Sequence, residues 1–255
     1  MHGALITRVL ARRPDLRYPL GRDFVRRVER QQVVAVRRRA KYLLIELSSG
    51  DVLLIHLGMT GSFRVMRRGG EEQALAHDHV VFELSSGAAV VFNDPRRFGF
   101  MKVLSAEDVR RYPALARLGP EPLDEGFNAA VLAAALRRRK TSSLKAALLD
   151  QRVVSGLGNI YASEALHRAG LSPARRASTL ATPTGAPRPS AVALAEAIRR
   201  VLGDAVAHDH RMYGEDRFRV YDREGHRCPR RGCSGRIRRI VQAARSTFYC
   251  PVCQR

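Results

Sequence analysis

The sequence has few cysteines, few acidic residues and no long apolar run. Its 255 residues include four cysteines, all within the last 28 positions, and only 24 Asp and Glu against 45 Lys and Arg. No stretch approaches the roughly 18 apolar residues of a membrane span. The opening "MHGALITRVLARRP" contains too short an apolar segment for a secretory signal. These absences exclude a membrane partner, and we expect a cytoplasmic protein whose thiols stay reduced.

The charge balance points to a polyanionic partner. The formal net charge is +21, while hydrophobic residues make up 45% of the chain, which is ordinary for a folded protein. The excess charge therefore belongs to a globular body rather than to a disordered tail. Nucleic acid is the partner that such a body favours. A proteome that is basic throughout is the alternative explanation of the charge alone.

The four cysteines have the spacing of a zinc site. The pattern is C-x4-C, sixteen residues, then C-x2-C, and two close pairs of this kind can place four thiolates at the corners of a tetrahedron. We expect one structural Zn²⁺; two disulfides or four idle thiols are the alternatives. The intervening "SGRIRRIVQAARSTFY" favours two strands with a turn near Gln242–Arg245. The predicted ligands are Cys228, Cys233, Cys250 and Cys253.

The periodicity changes once along the chain, from strands to helices. Most of the first hundred residues alternate or form β-branched runs, broken by turns at Ser48–Gly50 and Gly58–Gly61. After Ser105 the spacing becomes helical, and Asn128–Lys140 is expected to be a helix with Asn128 as its N-cap. This order predicts an α+β protein with three parts, at 1–104, 105–207 and 220–255.

Two turns in the β-rich part carry side chains that suit DNA. "HLGMTGS" places Met59 between two glycines, and "NDPRRFG" places Arg96 and Phe98 at the tip of a turn. An arginine beside an aromatic ring suits a phosphate contact and a wedge between stacked bases. The alternatives are a core methionine and a solvated basic turn with a buried Phe98.

Two further segments are candidates for phosphate contact. "GLGNIYASE" leads from a glycine turn into a helix, so that Asn159 and free backbone N–H groups stand at the helix start. Lys41 directly precedes the predicted strand "YLLIEL". An ordinary helix start and a solvated lysine are the alternative interpretations.

Taken together and in order, these segments resemble the formamidopyrimidine-DNA glycosylase family, the bacterial base-excision enzymes for oxidised purines. The resemblance spans nearly the whole chain and rests on "RRAKYLL", "HLGMTGS", "HDHV", "DPRRFG", "LGPEPL", "LLDQRVVSGLGNIYASEAL" and "RSTFYCPVCQ". It implies an N-terminal β-sandwich, a helix-two-turns-helix domain and a C-terminal β-hairpin zinc finger, with bent double-stranded damaged DNA in the cleft of a monomer.

The resemblance also implies the activity and its residues. The family excises formamidopyrimidine and 8-oxoguanine as a glycosylase and abasic-site lyase, and it flips the damaged base out of the duplex. Lys41 and Arg245 match residues that serve the active site. Residues that match gap-filling or DNA-backbone-binding positions are Met59, His77, Arg96, Phe98, Arg139, Lys140 and Asn159.

The sequence departs from the family pattern at two places. The family nucleophile is an N-terminal proline followed by a glutamate, whereas this sequence opens "MHGALI". A start codon placed too far downstream is the preferred explanation, and a shortened paralogue that binds damaged DNA without cleaving it is the alternative. The segment "AHDHRMYGEDRFRVYDREG" before Cys228 also predicts a shortened lesion-capping loop, which weakens the expectation of 8-oxoguanine preference.

Overall fold

The computed structural model describes residues 1–67, 74–207 and 218–255. The described chain forms two compact units, Met1–Ala116 and Arg117–Arg255. Within these ranges no helix has both the length and the apolar character needed to cross a bilayer.

The first unit contains two antiparallel four-stranded sheets, with strand orders β1-β6-β7-β5 and β2-β3-β4-β8. The predicted breaks at Ser48–Gly50 and Gly58–Gly61 are confirmed, because they fall between β3 and β4 and between β4 and β5. The strands are β1 Ile6–Ala11, β2 Val33–Arg39, β3 Tyr42–Leu47, β4 Asp51–His56, β5 Ser62–Met66, β6 Asp78–Leu84, β7 Ala89–Asn93 and β8 Phe100–Ser105.

One apolar core lies between the two sheets and makes them a sandwich. Phe82 and Phe92 enter it from the first sheet, and Leu53, Ile55 and Met101 enter it from the second. The four central residues of β4 are all buried, so this strand lacks the apolar–polar alternation of a half-exposed strand. The short helix α1, Phe24–Val28, closes one side of this core through its two buried residues.

Helices begin where the sheets end, and the order of elements matches the predicted change of periodicity. Asn128 caps α4 as predicted, because its Oδ1 accepts the N–H of Val131 at 3.1 Å. Pro113 and Pro189 occupy the first positions of α3 and α7, where the fixed φ of proline fits a helix start. The helices are α2 Ala106–Arg111, α3 Pro113–Ala116, α4 Ala129–Arg137, α5 Leu144–Leu149, α6 Asn159–Ala169 and α7 Pro189–Ala207, with a 3₁₀ turn at Ala177–Leu180.

Two successive turns join α5 to α6, and the side chain of Gln151 holds them together. Its Nε2 donates to the carbonyls of Leu149 and Leu157 at 3.1 and 3.0 Å, and its Oε1 accepts the N–H of Gly156 at 2.9 Å. One amide thus satisfies backbone groups at the end of α5 and in the second turn. The side chain of Gln151 therefore links the two turns of the helix–two turns–helix arrangement.

The C-terminal segment folds into a hairpin of β9, Arg238–Gln242, and β10, Arg245–Tyr249. The predicted turn is confirmed, with Ala243 and Ala244 as its two loop residues. The hairpin packs over a small core of Val220, Ile237 and Phe248 together with buried cysteines. This core is too small to stabilise a fold alone, as expected for a segment whose stability depends on metal.

The hairpin segment is also fastened to α6 through a buried carboxylate. Glu164 of α6 accepts the backbone N–H groups of Arg219, Val220 and Tyr221, each at 2.9 Å. Three charge-assisted hydrogen bonds compensate for the burial of this charge. The residues that lead into the hairpin are therefore fixed on the helix.

Candidate functional site

In the first unit, the turn that carries Met59 packs directly on the turn that carries Arg96 and Phe98. Gly58 makes this contact possible: it has a φ of +67°, and a Cβ built on it would lie 2.4 Å from the carbonyl carbon of Phe98. Only glycine fits both requirements. The two motifs that the sequence presents 35 to 40 residues apart thus form one surface.

Asp94 is the buried residue that holds the two turns together. Its carboxylate accepts the Thr60 hydroxyl at 2.5 Å and the Gly99 N–H at 2.8 Å. Its backbone N–H donates to the carbonyl of His77 at 3.1 Å. A fourth predicted residue, His77, is therefore brought to the same end of the sandwich.

The tips of these turns face solvent. The exposed fraction is 72% for Met59 and 40% for Phe98. The Arg96 guanidinium lies over the Phe98 ring, with its carbon 4.6 Å from the ring centroid. The alternative interpretations of a core methionine and a buried Phe98 are therefore wrong, and the surface combines a cation with two apolar probes.

Lys41 lies in the turn between β2 and β3 and neighbours a histidine that the sequence analysis did not select. His56 ends β4, and its Nδ1 accepts the N–H of Gly58 at 2.9 Å. Burial, followed by the charges of Lys41 and Arg17, lowers the pKa of His56. This hydrogen bond links the Lys41 region to the Met59 turn. The signal for His56 in the sequence was its position directly before "LGMTG".

In the second unit, Lys145 is the centre of a polar cluster beside Arg245. Its ammonium is fully buried and donates to Asn159 Oδ1 at 2.7 Å, to Thr247 Oγ1 at 2.6 Å and to the Ser246 carbonyl at 3.0 Å. Burial and, to a smaller extent, the charge of Arg245 lower the pKa of Lys145 to about 8. Lys145 could not be recognised from the sequence, because a lysine in a helix is usually solvated.

The same cluster fixes the predicted residue Asn159. Its Nδ2 donates to the Ser246 carbonyl at 3.1 Å, while its Oδ1 accepts from Lys145. The side chain of Asn159 thus connects the start of α6 to the start of β10, where Arg245 is exposed. The structure brings Asn159 and Arg245 to neighbouring positions, although 86 residues separate them.

Arg139 and Lys140 follow α4 and differ in their surroundings. The Arg139 guanidinium forms an ion pair with Asp150 at 2.6 Å, and Arg152 binds the same carboxylate at 2.8 Å. The hydrogen bond from Arg152, with the charge of Arg139, lowers the pKa of Asp150. Lys140 is exposed. Of these two candidates, Lys140 therefore offers the more accessible charge.

Backbone strain gathers around the predicted site residues. Seven described non-glycine residues have positive φ, and five of them belong to the predicted set or lie within two positions of one of its members. Such residues are held in place by their surroundings and occur often at functional sites. The five are Ala40 before Lys41, His77 itself, Arg97 between Arg96 and Phe98, and Ala243 and Ala244 before Arg245.

The four cysteines fit one tetrahedral zinc ion. Their sulfur atoms all lie within 4.8 Å of one another, with 3.7 Å between Cys228 and Cys253 and 3.6 Å between Cys233 and Cys250. Zinc–sulfur bonds of about 2.3 Å give a tetrahedral edge of about 3.8 Å. These distances exclude disulfides, whose sulfurs are about 2.05 Å apart. The predicted zinc set is confirmed.

Gly235 shapes the space around these sulfurs. A Cβ on this residue would lie 2.6 Å from Cys250 Sγ, and its backbone N–H donates to Cys233 Sγ at 3.4 Å. A thiolate that binds metal is stabilised by such N–H donors. The backbone therefore packs closely around the four sulfur atoms.

The predicted shortened loop before Cys228 falls largely on residues 208–217, which lie outside the described ranges.

Comparison with known families identifies three matching regions in the same order. A model of the formamidopyrimidine-DNA glycosylase N-terminal domain matches residues 1–101, one of the H2TH domain of the same proteins matches residues 118–215, and one of the zinc finger found in FPG and IleRS matches residues 225–255. Together they cover most of the chain.

Individual relatives agree with the family match. A formamidopyrimidine-DNA glycosylase of Afipia carboxidovorans is 54% identical over an alignment of 278 positions that covers 100% of this chain and 94% of the relative. One of Rhodopseudomonas palustris, strain BisB18, is 55% identical over 277 positions with the same coverage.

Solved structures share the fold over the whole chain. A complex of Lactococcus lactis Fpg with DNA containing an abasic site has a TM-score of 0.86 at 27% identity and covers 100% of this chain and 94% of that one. MutM bound to DNA containing carbocyclic 8-oxo-G has the same TM-score and coverage at 28% identity. The predicted α+β architecture of β-sandwich, helix-two-turns-helix domain and zinc finger is confirmed, and the chain belongs to the formamidopyrimidine-DNA glycosylase family.

Proposed function

We propose that this chain acts in base-excision repair as a DNA glycosylase and abasic-site lyase that removes oxidised purines such as formamidopyrimidine and 8-oxoguanine. The relatives with 54 to 55% identity are named formamidopyrimidine-DNA glycosylases. The similar solved structures hold DNA with an abasic site or an 8-oxo-G analogue. Its substrate is then double-stranded damaged DNA.

The observation that carries the proposal is the cationic cluster at the start of β10. Lys145, Asn159 and Arg245 lie together, and Arg245 is exposed beside a buried ammonium. Such a cluster attracts phosphate without changing shape when it binds. We assign Arg245 to the phosphate nearest the lesion, with Lys41 as the second residue of the active site.

The remaining predicted residues have two roles in this proposal. The exposed Met59, Arg96 and Phe98 fill the gap that a flipped base leaves, because apolar and guanidinium groups can replace its stacking contacts. His77 and Asn159 contact the DNA backbone, as do the residues after α4, Arg139 and Lys140.

The chemistry of the proposal proceeds through an amine. The amine nitrogen forms a bond to C1′ of the sugar while the bond from C1′ to the base breaks, and the electron pair leaves with the base, which takes up a proton. Opening of the sugar ring gives an iminium ion, which permits β- and δ-elimination of the two phosphates. In the family this amine belongs to a proline followed by a glutamate; neither occurs in "MHGALI".

A protein that binds damaged DNA without cleaving it is the alternative that an experiment has to exclude. The names of the relatives favour the enzyme.

Borohydride trapping separates the two candidates. The chain from Met1 and the same chain preceded by the N-terminal segment of the Afipia carboxidovorans relative are each incubated with duplex containing 8-oxoguanine and then reduced. We expect a covalent complex from the extended chain and none from the chain that begins at Met1. Binding of both to a tetrahydrofuran lesion without any trapping would instead establish a binding protein and overturn the enzymatic proposal.

The proposal includes a monomer that acts in the bacterial cytoplasm on chromosomal DNA. The family relationship to bacterial enzymes and the high positive charge support it. Sedimentation of the protein with a short lesion duplex tests the stoichiometry, for which one chain per duplex is expected and two would contradict it.

A further inference from the structure

A buried histidine contacts the zinc site without belonging to the set of four sulfur atoms. His167 lies on α6, its exposed fraction is 0%, and its Nε2 is 3.3 Å from Cys228 Sγ. The four cysteine sulfurs already form a compact group and fill the four positions that zinc takes in a structural site. His167 is therefore a neighbour of one ligand rather than a fifth ligand.

The protonation of the contact follows from the chemistry of the sulfur. A zinc-bound cysteine is a thiolate and has no proton to donate, so the hydrogen bond requires a proton on Nε2. In the described part of the chain, Nδ1 of His167 is buried without a hydrogen-bond partner. A buried N–H without an acceptor is costly, so Nδ1 carries no proton. The geometry thus favours the tautomer of His167 whose Nε2–H is directed at Cys228.

The surroundings of His167 explain why its ring is held in this position. Arg230, from the loop between the first two cysteines, donates through its guanidinium to the His167 carbonyl. Just beyond the helix, the N–H of Arg255 donates to the Gly170 carbonyl at 3.0 Å, and Gln254 Nε2 donates to the Leu171 carbonyl at 2.9 Å. The C-terminal end of α6 is therefore fixed to the zinc loops on both sides of the ring.

The opposite end of α6 touches the same finger. Asn159, its first residue, donates to the Ser246 carbonyl of β10 at 3.1 Å, while His167, two turns later, contacts Cys228. The helix thus connects the metal site to the cluster beside Arg245.

We propose that His167 is a positioning residue for the zinc site, whose Nε2–H donates to the Cys228 thiolate, slows the release of zinc and couples the metal to α6. A hydrogen bond to a ligand typically changes metal affinity by about 10- to 100-fold. It also withdraws charge from the sulfur. The inference concerns metal binding and does not depend on whether the protein cleaves DNA.

The test uses three variants of the full-length zinc-loaded protein. H167F removes the donor and keeps an aromatic ring, H167Q restores an N–H donor near the position of Nε2, and H226F replaces an exposed histidine of the same finger as a control. Zinc release into excess chelator is followed with a chromogenic indicator. The sulfur-to-metal charge-transfer band is recorded after exchange of zinc for Co²⁺.

The expected pattern is specific to a hydrogen bond. H167F should release zinc about 10- to 100-fold faster and shift the charge-transfer band to longer wavelength, because the sulfur lone pair loses its donor. H167Q should recover both properties at least in part, and H226F should behave as the wild type. Equal behaviour of H167F and H167Q, whether both retain zinc or both lose it, would overturn the proposal. Zinc release would then depend on the packing of the side chain and not on its hydrogen bond.

Discussion

Lys145 donates a hydrogen bond to the side-chain oxygen of Asn159 across a distance of 2.7 Å. This contact joins two helices, and the same ammonium reaches Thr247 on β10. An ammonium without solvent contact is held at a site where burial and the nearby Arg245 lower its pKa to about 8. Three acceptors compensate for the lost hydration in part. The protein thus holds Lys145 in an environment where the charged form of its amine is disfavoured.

The buried ammonium predicts an unusual pH dependence of stability. Below pH 8 Lys145 is charged in both the folded and the unfolded chain, and its burial opposes folding. Between about 8 and the ordinary value of 10.5, the unfolded chain binds more protons than the folded one, so stability rises with pH. The free energy of unfolding of the wild type should therefore rise relative to that of K145M by about 3 kcal/mol over this window.

Urea unfolding of both proteins at a series of pH values from 7 to 11 measures this difference. K140M, which removes an exposed lysine after α4, is the control for the loss of one positive charge. A difference between wild type and K145M that does not change with pH would contradict the depressed pKa of Lys145.

The close packing of the Met59 turn on the Arg96 turn predicts that a methyl group added at Gly58 strongly lowers stability. G58A should lower the free energy of unfolding of the first unit by about 2 to 3 kcal/mol, because its Cβ would collide with the backbone at Phe98. Gly50 supplies a matched control, since it has a φ of +83° and open space around its Cβ position. G50A should cost only the backbone strain, about 1 kcal/mol.

Urea unfolding gives both values, and binding to a lesion duplex gives the functional consequence. G58A should weaken DNA binding more than G50A, because it displaces Arg96 and Phe98. Equal destabilisation by the two variants would show that the contact between the turns is not tight.

The Thr60–Asp94 hydrogen bond can be tested by a double-mutant cycle. T60V and D94N each remove part of the contact that holds the Met59 turn to the Arg96 turn. A hydrogen bond to an ionised group predicts a coupling energy of about 1 to 2 kcal/mol in the free energy of unfolding. The cycle of T60V with D51N is the control, because Asp51 binds Arg27 instead. Additive effects of T60V and D94N would contradict the assigned role of Asp94.

Sequence reasoning was most effective where the signal is local. Strand alternation, the Asn128 cap and the cysteine spacing depend on neighbouring residues, and each was read correctly. Lys145 was not found, because its partner Thr247 lies 102 positions away. His167 was missed for the same reason, since a histidine in a helix gives no sign of a sulfur 61 positions away.

Backbone strain is the second property that the sequence concealed. Ala243 and Ala244 form the two-residue loop of the zinc-finger hairpin with φ of +47° and +56°, a conformation that favours asparagine and glycine. Alanine gives no hint of it, because its intrinsic preference is helical. The pairing of β9 with β10 overrides that preference.

This strain predicts a stabilising substitution in the finger. A243N combined with A244G should raise the free energy of unfolding by about 1 to 2 kcal/mol. The reason is that the left-handed backbone conformation is unfavourable for alanine and is better tolerated by asparagine and glycine. A193G, at an exposed position of α7, is the control with opposite sign and should lower it by about 1 kcal/mol. Thermal unfolding of the zinc-loaded proteins measures both, and destabilisation by the double variant would contradict the assigned turn.

The assignment of Arg245 to a phosphate predicts a change in the salt dependence of binding. Each phosphate contact contributes about −0.9 to the slope of log affinity against log salt for duplex DNA. R245A should therefore reduce the magnitude of the slope by about 0.9, in addition to weakening binding at a fixed salt concentration. Fluorescence anisotropy with a tetrahydrofuran duplex at several salt concentrations measures the slope.

R231A is the matched control for this measurement. Arg231 has the same charge and is exposed in the same finger, but it lies between Cys228 and Cys233 rather than beside the Lys145 cluster. A general loss of positive charge would weaken binding equally in the two variants, whereas a specific contact changes the slope only in R245A. Zinc content measured in parallel must stay at one ion per chain in both, because loss of the metal would remove Arg245 from its position as well. Equal slopes for R245A and R231A would therefore refute the phosphate assignment.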